Sequence, residues 1–155
     1  MKNHEIFRLR EALNEVSNLK GIKFAYSVLK NKKLLDDEIT ILQKTVEMTD
    51  TFKEFEFQRV NLCEMHSEKD EQGKAIIKDG IYSLIDRKAF DVEVEVLKNK
   101  YLDAITERNT QLQEYDKMMV EDSDIDSKLS KVKVEHLPEE LSANQLEQLK
   151  EMIEE

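Results

Sequence analysis

The chain has 155 residues and a formal net charge of −10 at pH 7, with 37% charged but only 6% aromatic residues. Together with three glycines and one proline, this composition is typical of a long-helix or coiled-coil protein and argues against a sandwich, a barrel or an α/β enzyme. The acidic balance also disfavours non-specific binding to nucleic acid or to an anionic membrane.

Two helical segments are predicted at the start of the chain. Residues 1–21 form an amphipathic helix with one apolar face, made by Ile6, Leu9, Leu13 and Val16. Residues 22–69 form the first long arm, with an apolar repeat at Phe24, Val28, Leu35, Ile39, Leu42 and Val46. Lys32 fills the slot between Val28 and Leu35. From Met48 the phase of the repeat drifts, which predicts a bend or a second neighbour.

Residues 70–85 carry a β-hairpin signal, because Asp79-Gly80 is flanked by β-branched and aromatic residues. A two-stranded ribbon is barely stable alone, so one of its faces needs cover. An exposed apolar face would bind a partner, whereas a face covered by the first or last helix would be core. The candidate partner-binding residues here are Ile76, Ile77, Ile81 and Tyr82.

The second long arm covers residues 86–120, with Asp86 at the N-cap position. Its apolar seam alternates spacings of four and three through Phe90, Val94, Leu97, Tyr101, Ile105, Leu112, Tyr115 and Met119. Arg108 interrupts this seam and is the fifth candidate partner-binding residue. It would either form an ion pair with a glutamate of the first arm or contact a partner.

The last third of the chain is predicted to hold an acidic linker, a short strand and a final helix. The linker covers residues 121–130, and the strand near Val132 and Val134 is a candidate to join the hairpin ribbon. Ser142 to Gln145 match a capping box at the start of a helix. Leu146, Leu149 and Ile153 would face inward from that helix.

These elements predict a mainly α fold: a long antiparallel helical hairpin of prefoldin-like outline, with a small β-hairpin at its tip and short flanking helices. Helices of about 35 to 45 residues would run roughly 50 to 70 Å, so an antiparallel pair is the economical arrangement. We expect a single elongated domain over residues 1–155, with segments at 1–21, 22–69, 70–85, 86–120, 121–130 and 131–155.

Few residues suggest chemistry. Cys63 and His66 are spaced to share a metal, but zinc needs more ligands, and a half-buried thiol beside a surface histidine is the favoured interpretation. Asp122, Asp124 and Asp126 resemble the start of a calcium loop that lacks its later ligands, which favours a solvated linker. An enzyme would require His4, Cys63, His66 or His136 to converge. We therefore expect no enzyme activity, no catalytic residues, no metal and no cofactor.

The location and partners follow from the same features. No segment approaches about 18 consecutive apolar residues, the start lacks the apolar core of a signal peptide, and a single cysteine fits a reducing compartment. We expect a cytoplasmic protein that works by binding other proteins, with no membrane and no direct nucleic-acid binding. The sequence does not decide between a monomer and a homo-oligomer, because the same apolar seams can pair within one chain or between two chains.

Short motifs lie at Ile22 to Tyr26, Asp70 to Lys74, Gly80 to Tyr82, Leu137 to Ser142 and Leu146 to Glu154. They are similar to those of a family of small phage and prophage proteins of Gram-positive bacteria. The resemblance implies a phage-encoded accessory protein and brings no activity and no site residues. Such a protein would act in the cytoplasm of the bacterial host cell by contact with a host or phage protein, as an assembly factor or an inhibitor of host defence. The alternative is an acidic mimic of nucleic acid that inhibits a DNA- or RNA-binding host enzyme. Lysines interspersed among the acidic residues weaken the negative electrostatic potential that such a mimic needs.

Overall fold

A computed structural model describes residues 1–154 and confirms a mainly helical protein. The helices are α1 (Asn3–Glu15), α2 (Ile22–Thr45), α3 (Asp50–His66), α4 (Arg87–Lys100), α5 (Leu102–Met119) and α6 (Ala143–Gln148). The strands are β1 (Ile77–Lys78), β2 (Ile81–Tyr82), β3 (Val132–Lys133) and β4 (Ile153–Glu154). None of the helices within residues 1–154 has the length and apolar content needed to cross a bilayer.

The chain divides into two compact units. The first unit consists of Met1–Val46 and the chain from Gln113 onward, and the second unit consists of Glu47–Leu112. Each unit has its own cluster of buried apolar side chains. The sequence-based expectation of a single elongated domain is not tested by this division and stays a prediction.

The first unit is built on α1, which packs against α2 and α6. All four apolar residues predicted for the inner face of α1 are buried: Ile6, Leu9, Leu13 and Val16. From α2 the core receives Phe24, Val28, Leu35 and Leu42. The slot between Val28 and Leu35 is filled by Asn31, at 1% exposure, and not by Lys32, which is only half-buried.

The segment predicted as a solvated acidic linker, 121–130, is part of this core instead. Ile125 and Leu129 are buried at 1% and 6% exposure, because a 3₁₀ turn at Ile125–Ser127 folds the chain back. The strand expected to join the hairpin ribbon also pairs elsewhere. Val132 lies opposite Ile153 in the parallel pair β3–β4, since its buried side chain belongs to the core of the first unit.

The predicted first arm, 22–69, is two helices and not one. Thr49 adopts an extended backbone, and its Oγ1 accepts a 3.2 Å hydrogen bond from the Phe52 amide, which starts α3 as a new helix. This break lies where the apolar phase drifts. The second arm is interrupted at Tyr101, although amide hydrogen bonds from Tyr101 to Leu97 and from Ile105 to Tyr101 continue the helical ladder.

The second unit is built on α3 and α4, which run antiparallel. Phe55, near the start of α3, packs against Tyr101 just after the end of α4, with ring centroids 5.8 Å apart. His66, the last residue of α3, packs edge-on against Phe90 near the start of α4. The predicted N-cap of α4 is confirmed, because Asp86 Oδ1 accepts from the amides of Lys88 and Ala89.

Candidate partner-binding surface

The chain between α3 and α4 forms a small β ribbon. Asp79 and Gly80 form its turn with φ of 51° and 77°, the left-handed backbone that a two-residue hairpin turn needs. The turn sets the register of β1 and β2, in which Ile77 lies opposite Tyr82 and Lys78 lies opposite Ile81.

A third segment, directly after α3, stabilises this ribbon. The amide of Glu68 donates to the carbonyl of Ser83 at 2.7 Å, and the amide of Ile76 donates to the carbonyl of Glu68 at 2.9 Å. Isolated bridges pair Ser67 with Leu84 and Lys69 with Ala75. A two-stranded ribbon alone has only marginal stability in water. The added hydrogen bonds from the third segment therefore stabilise the ribbon.

The register assigns the four predicted ribbon residues to two faces. Residues that are opposite on antiparallel strands point to the same side, and neighbours along a strand point to opposite sides. Ile77 therefore shares one side with Tyr82. Ile81 shares the other side with Lys78, and alternation along the chain puts the half-buried Ile76 there as well. We use the name Ile81 face for this side together with Ser83 and the exposed Ile85, which follow β2 in the chain.

The Ile81 face presents large apolar side chains to solvent. Ile81 is 70% exposed and Ile85 is 71% exposed. Ile85 is not among the predicted residues; it lies at a bend beyond β2, where its amide donates a 2.9 Å hydrogen bond to the carbonyl of His66. On the opposite side, Ile77 is 53% exposed, while Tyr82 is half-buried and lines a shallow cavity with Glu64 of α3.

Arg108 lies far from these residues. Its guanidinium carbon is 5.8 Å from the ring centroid of Phe52, and Nη1 donates a 2.7 Å hydrogen bond to Gln111 Oε1. Phe52 lies near the start of α3, whereas the ribbon follows its end at His66, about 21 Å further at 1.5 Å per residue. The structure thus brings the ribbon residues together and leaves Arg108 outside them.

The side chains considered for chemistry have local partners. Cys63 is buried, and His66 Nε2 lies 3.2 Å from Glu93 Oε1. In the first unit, His4 Nδ1 lies 3.0 Å from the carbonyl oxygen of Met119, and His136 Nε2 lies 2.6 Å from Lys23 Nζ. Within residues 1–154, no three histidine, cysteine, aspartate or glutamate side chains are grouped so that they could hold a metal ion.

Each aspartate of the calcium-like motif faces a cation. Asp122 pairs with Lys2, Asp124 pairs with Lys128, and Asp126 pairs with the amino group of Met1 at 2.9 Å. The hydrogen bond from that amino group lowers the pKa of Asp126, and the same bond raises the pKa of the amino group. Asp122 and Asp126 therefore tie the segment to the residues just before α1, whereas the pair of Asp124 with Lys128 is local.

Comparisons with protein-family models, with curated proteins and with solved structures found no match to this chain. The exposed isoleucines of the Ile81 face are thus the observation from which a function is argued.

Proposed function

We propose that the protein is a non-enzymatic, phage-encoded accessory protein that binds a host or phage protein through the Ile81 face. The observation that carries this proposal is the pair Ile81 and Ile85, each about 70% exposed on a hydrogen-bonded ribbon. Clustered exposed apolar side chains mark interaction surfaces in soluble proteins. The protein would act in the cytoplasm of the bacterial host, as an assembly factor or as an inhibitor of a defence protein.

The ribbon suits this role because its backbone is already ordered. The cross-strand hydrogen bonds of Glu68, Ile76 and Ser83 fix the spacing of the two isoleucines before a partner arrives. A partner then need not order the loop, which is a cost that weakens many interfaces. Full burial of an isoleucine side chain contributes roughly 1.5–3 kcal/mol, so two of them are sufficient to act as anchors.

The scaffold that we propose is a helical hairpin. Within the second unit, α3 and α4 would form its arms, and the ribbon that connects them would form its tip. Lys78, on the same face as Ile81, and Glu68, whose carboxylate accepts a hydrogen bond from Ser83 Oγ, would supply the polar rim that surrounds an apolar contact. Arg108, at the other end of α3, would stabilise the arms through Phe52.

The test is a capture experiment with matched variants. The purified chain and an Ile81→Ser/Ile85→Ser variant are used as bait in host lysate, with Ile22→Ser/Ile41→Ser as the control. Ile22 and Ile41 are also exposed isoleucines, at 92% and 57%, but they lie on α2 in the first unit. We expect the partner to be lost with the ribbon variant and kept with the control, and calorimetry with the identified partner then measures the loss.

A partner that both double variants retain would contradict the proposal. If that partner is a nucleic-acid-binding enzyme, and duplex DNA displaces it from the chain, the result would support the acidic mimic instead. The net charge of −10 is the feature in favour of that alternative. Ion pairs such as Lys98 with Glu95 and Lys150 with Glu147 weaken the acidic field that it requires.

A further inference from the structure

An apolar groove runs between α3 and α4 on the second unit, separate from the Ile81 face. Its volume is about 440 Å³, and Leu62, Val96 and Leu97 form its apolar lining. Glu93 and Lys100, both on α4, lie at its rim. A pair of helices buries only the side on which the two pack, so that a groove of this kind is completed in bundles by further helices.

The groove continues into exposed apolar side chains on both helices. Val96 is 67% exposed, and Val92, one turn before it on α4, is 65% exposed. Met65, one turn after the groove residue Asn61 on α3, is 70% exposed. The apolar surface is therefore a strip along the helix pair that a further pair of helices can cover.

The charges at the rim of the groove indicate that a second copy of the chain covers it. Glu93 and Lys100 are seven residues apart on α4, about 10.5 Å along the axis, with Val96 and Leu97 between them. In an antiparallel pairing about a two-fold axis between Val96 and Leu97, Glu93 of each copy lies opposite Lys100 of the other copy. The same surface on both copies thus forms two equivalent ion pairs, one on each side of the axis. This is the symmetry of an isologous interface, in which both copies use the same residues.

We infer that the groove is the interface of a homodimer, in which α3 and α4 of two copies form an antiparallel four-helix bundle with the Val96 side chains near the two-fold axis. The Glu93 carboxylate also faces His66 of its own chain, and a carboxylate has enough lone pairs to accept from both His66 and Lys100 of the second copy. The Ile81 face lies outside the groove and stays available to the partner proposed above.

Sedimentation velocity on the full chain tests the dimer. We expect a concentration-dependent shift from 18.3 kDa to twice that mass. Val96→Glu should raise the dissociation constant at least about a hundredfold, because it buries two like charges close to the axis. Val134→Glu is the matched control, since Val134 is 57% exposed and lies in the first unit. A chain that stays monomeric at every concentration, or a dimer that Val96→Glu leaves unchanged, overturns the inference.

A charge exchange tests the orientation. Glu93→Lys and Lys100→Glu should each weaken the dimer about tenfold, because each single change creates like-charge pairs on both sides of the axis. The double variant should restore most of the affinity, and circular dichroism would verify that each variant is folded. A double variant weaker than either single one would overturn the antiparallel pairing. Ile81→Ser/Ile85→Ser should leave the dimer unchanged, which separates this test from that of the proposed function.

Discussion

Tyr101 Oη donates a 2.8 Å hydrogen bond to Glu54 Oε1 on the neighbouring helix α3, and it accepts a 2.9 Å bond from Gln58 Nε2. Tyr101 is also the residue that interrupts the second arm between α4 and α5, and its side chain is buried at 7% exposure. The interruption is therefore held in place by the first helix of the pair.

Tyr101→Phe should lower the free energy of unfolding of the second unit by about 1–3 kcal/mol. The ring would still pack on Phe55, and Gln58 Nε2 would keep its 3.1 Å hydrogen bond to Glu54 Oε1, but both bonds to the tyrosine hydroxyl would be lost. Urea denaturation followed by circular dichroism measures the change. Tyr26→Phe is the control, because Tyr26 is 65% exposed, and its effect should stay within about 0.5 kcal/mol. Equal effects of the two variants would argue against the role given to Tyr101.

Asn31→Ala should destabilise the first unit by about 2–4 kcal/mol. Asn31 Oδ1 accepts from the Ser130 amide at 2.7 Å and Nδ2 donates to the Ser130 carbonyl at 3.0 Å, so the truncation removes the side-chain partner of two partly buried backbone groups. Lys32→Ala, at the adjacent half-buried position, should change stability by less than about 1 kcal/mol. Thermal and urea unfolding of both variants measure these changes. A larger loss of stability for Lys32→Ala than for Asn31→Ala would show that Lys32 fills the slot.

Stability should depend on pH through the ion pair of the Met1 amino group and Asp126. The raised pKa of the amino group means that its contribution is present below the ordinary value of 8.0 and is lost as pH rises through the raised pKa. The lowered pKa of Asp126 means that its contribution is present above 3.8 and is lost as pH falls through the lowered pKa.

Asp126→Asn should therefore be less stable than the parent chain between pH 3.8 and 8.0, and the difference should shrink at both extremes. Solvent screens this pair, because the Asp126 side chain is 37% exposed, so the effect at neutral pH should be at most about 1 kcal/mol. Unfolding midpoints across the pH range measure it. A difference that persists unchanged into strong alkali would show that the charge of the amino group is not involved.

Gly80→Ala should weaken the ribbon by about 1–2 kcal/mol. The backbone φ of 77° is the reason, since a methyl group at Gly80 would meet no atom within 4 Å and the penalty is conformational. Asp79→Gly, at the neighbouring φ of 51°, should not weaken the ribbon, because glycine adopts that backbone more easily. Hydrogen exchange at the amides of Ile76 and Ser83 distinguishes the two variants, and equal protection in both would contradict the turn assignment.

The helical periodicity of the sequence was sufficient to predict a mainly helical fold and part of the inner faces of its helices, although Leu112 of the predicted seam is 40% exposed. Leu97 and Tyr101 are buried as the seam of the second arm predicts, and Leu13 and Val16 are buried on α1. Asn31 could not be found in this way, because a polar residue in a core slot leaves no apolar signal. The break at Thr49 was indicated only by a change of phase, since apolar residues continue on both sides of it.

Contacts between distant segments were harder to predict than local turns. The Asp79-Gly80 turn has a strong local signature, so that Ile81 was found from sequence. The pairing of Val132 with Ile153 depends on burial of Val132 in a core assembled from several helices, which two-residue strands do not encode locally. Sequence marks Arg108 as a charge in the apolar seam, but its position over Phe52 could not be predicted, because sequence spacing does not show which residue of α3 a residue of α5 meets.

The burial of Cys63 has a practical consequence for thiol labelling. Its side chain is 6% exposed, and it is the single cysteine of the chain. A cysteine introduced at an exposed position, such as Ile81 or Val134, would therefore react with maleimide dyes in the folded protein while Cys63 stays protected. One dye can thus be attached to either compact unit without first removing the native thiol, and its fluorescence would report on the surroundings of the labelled residue.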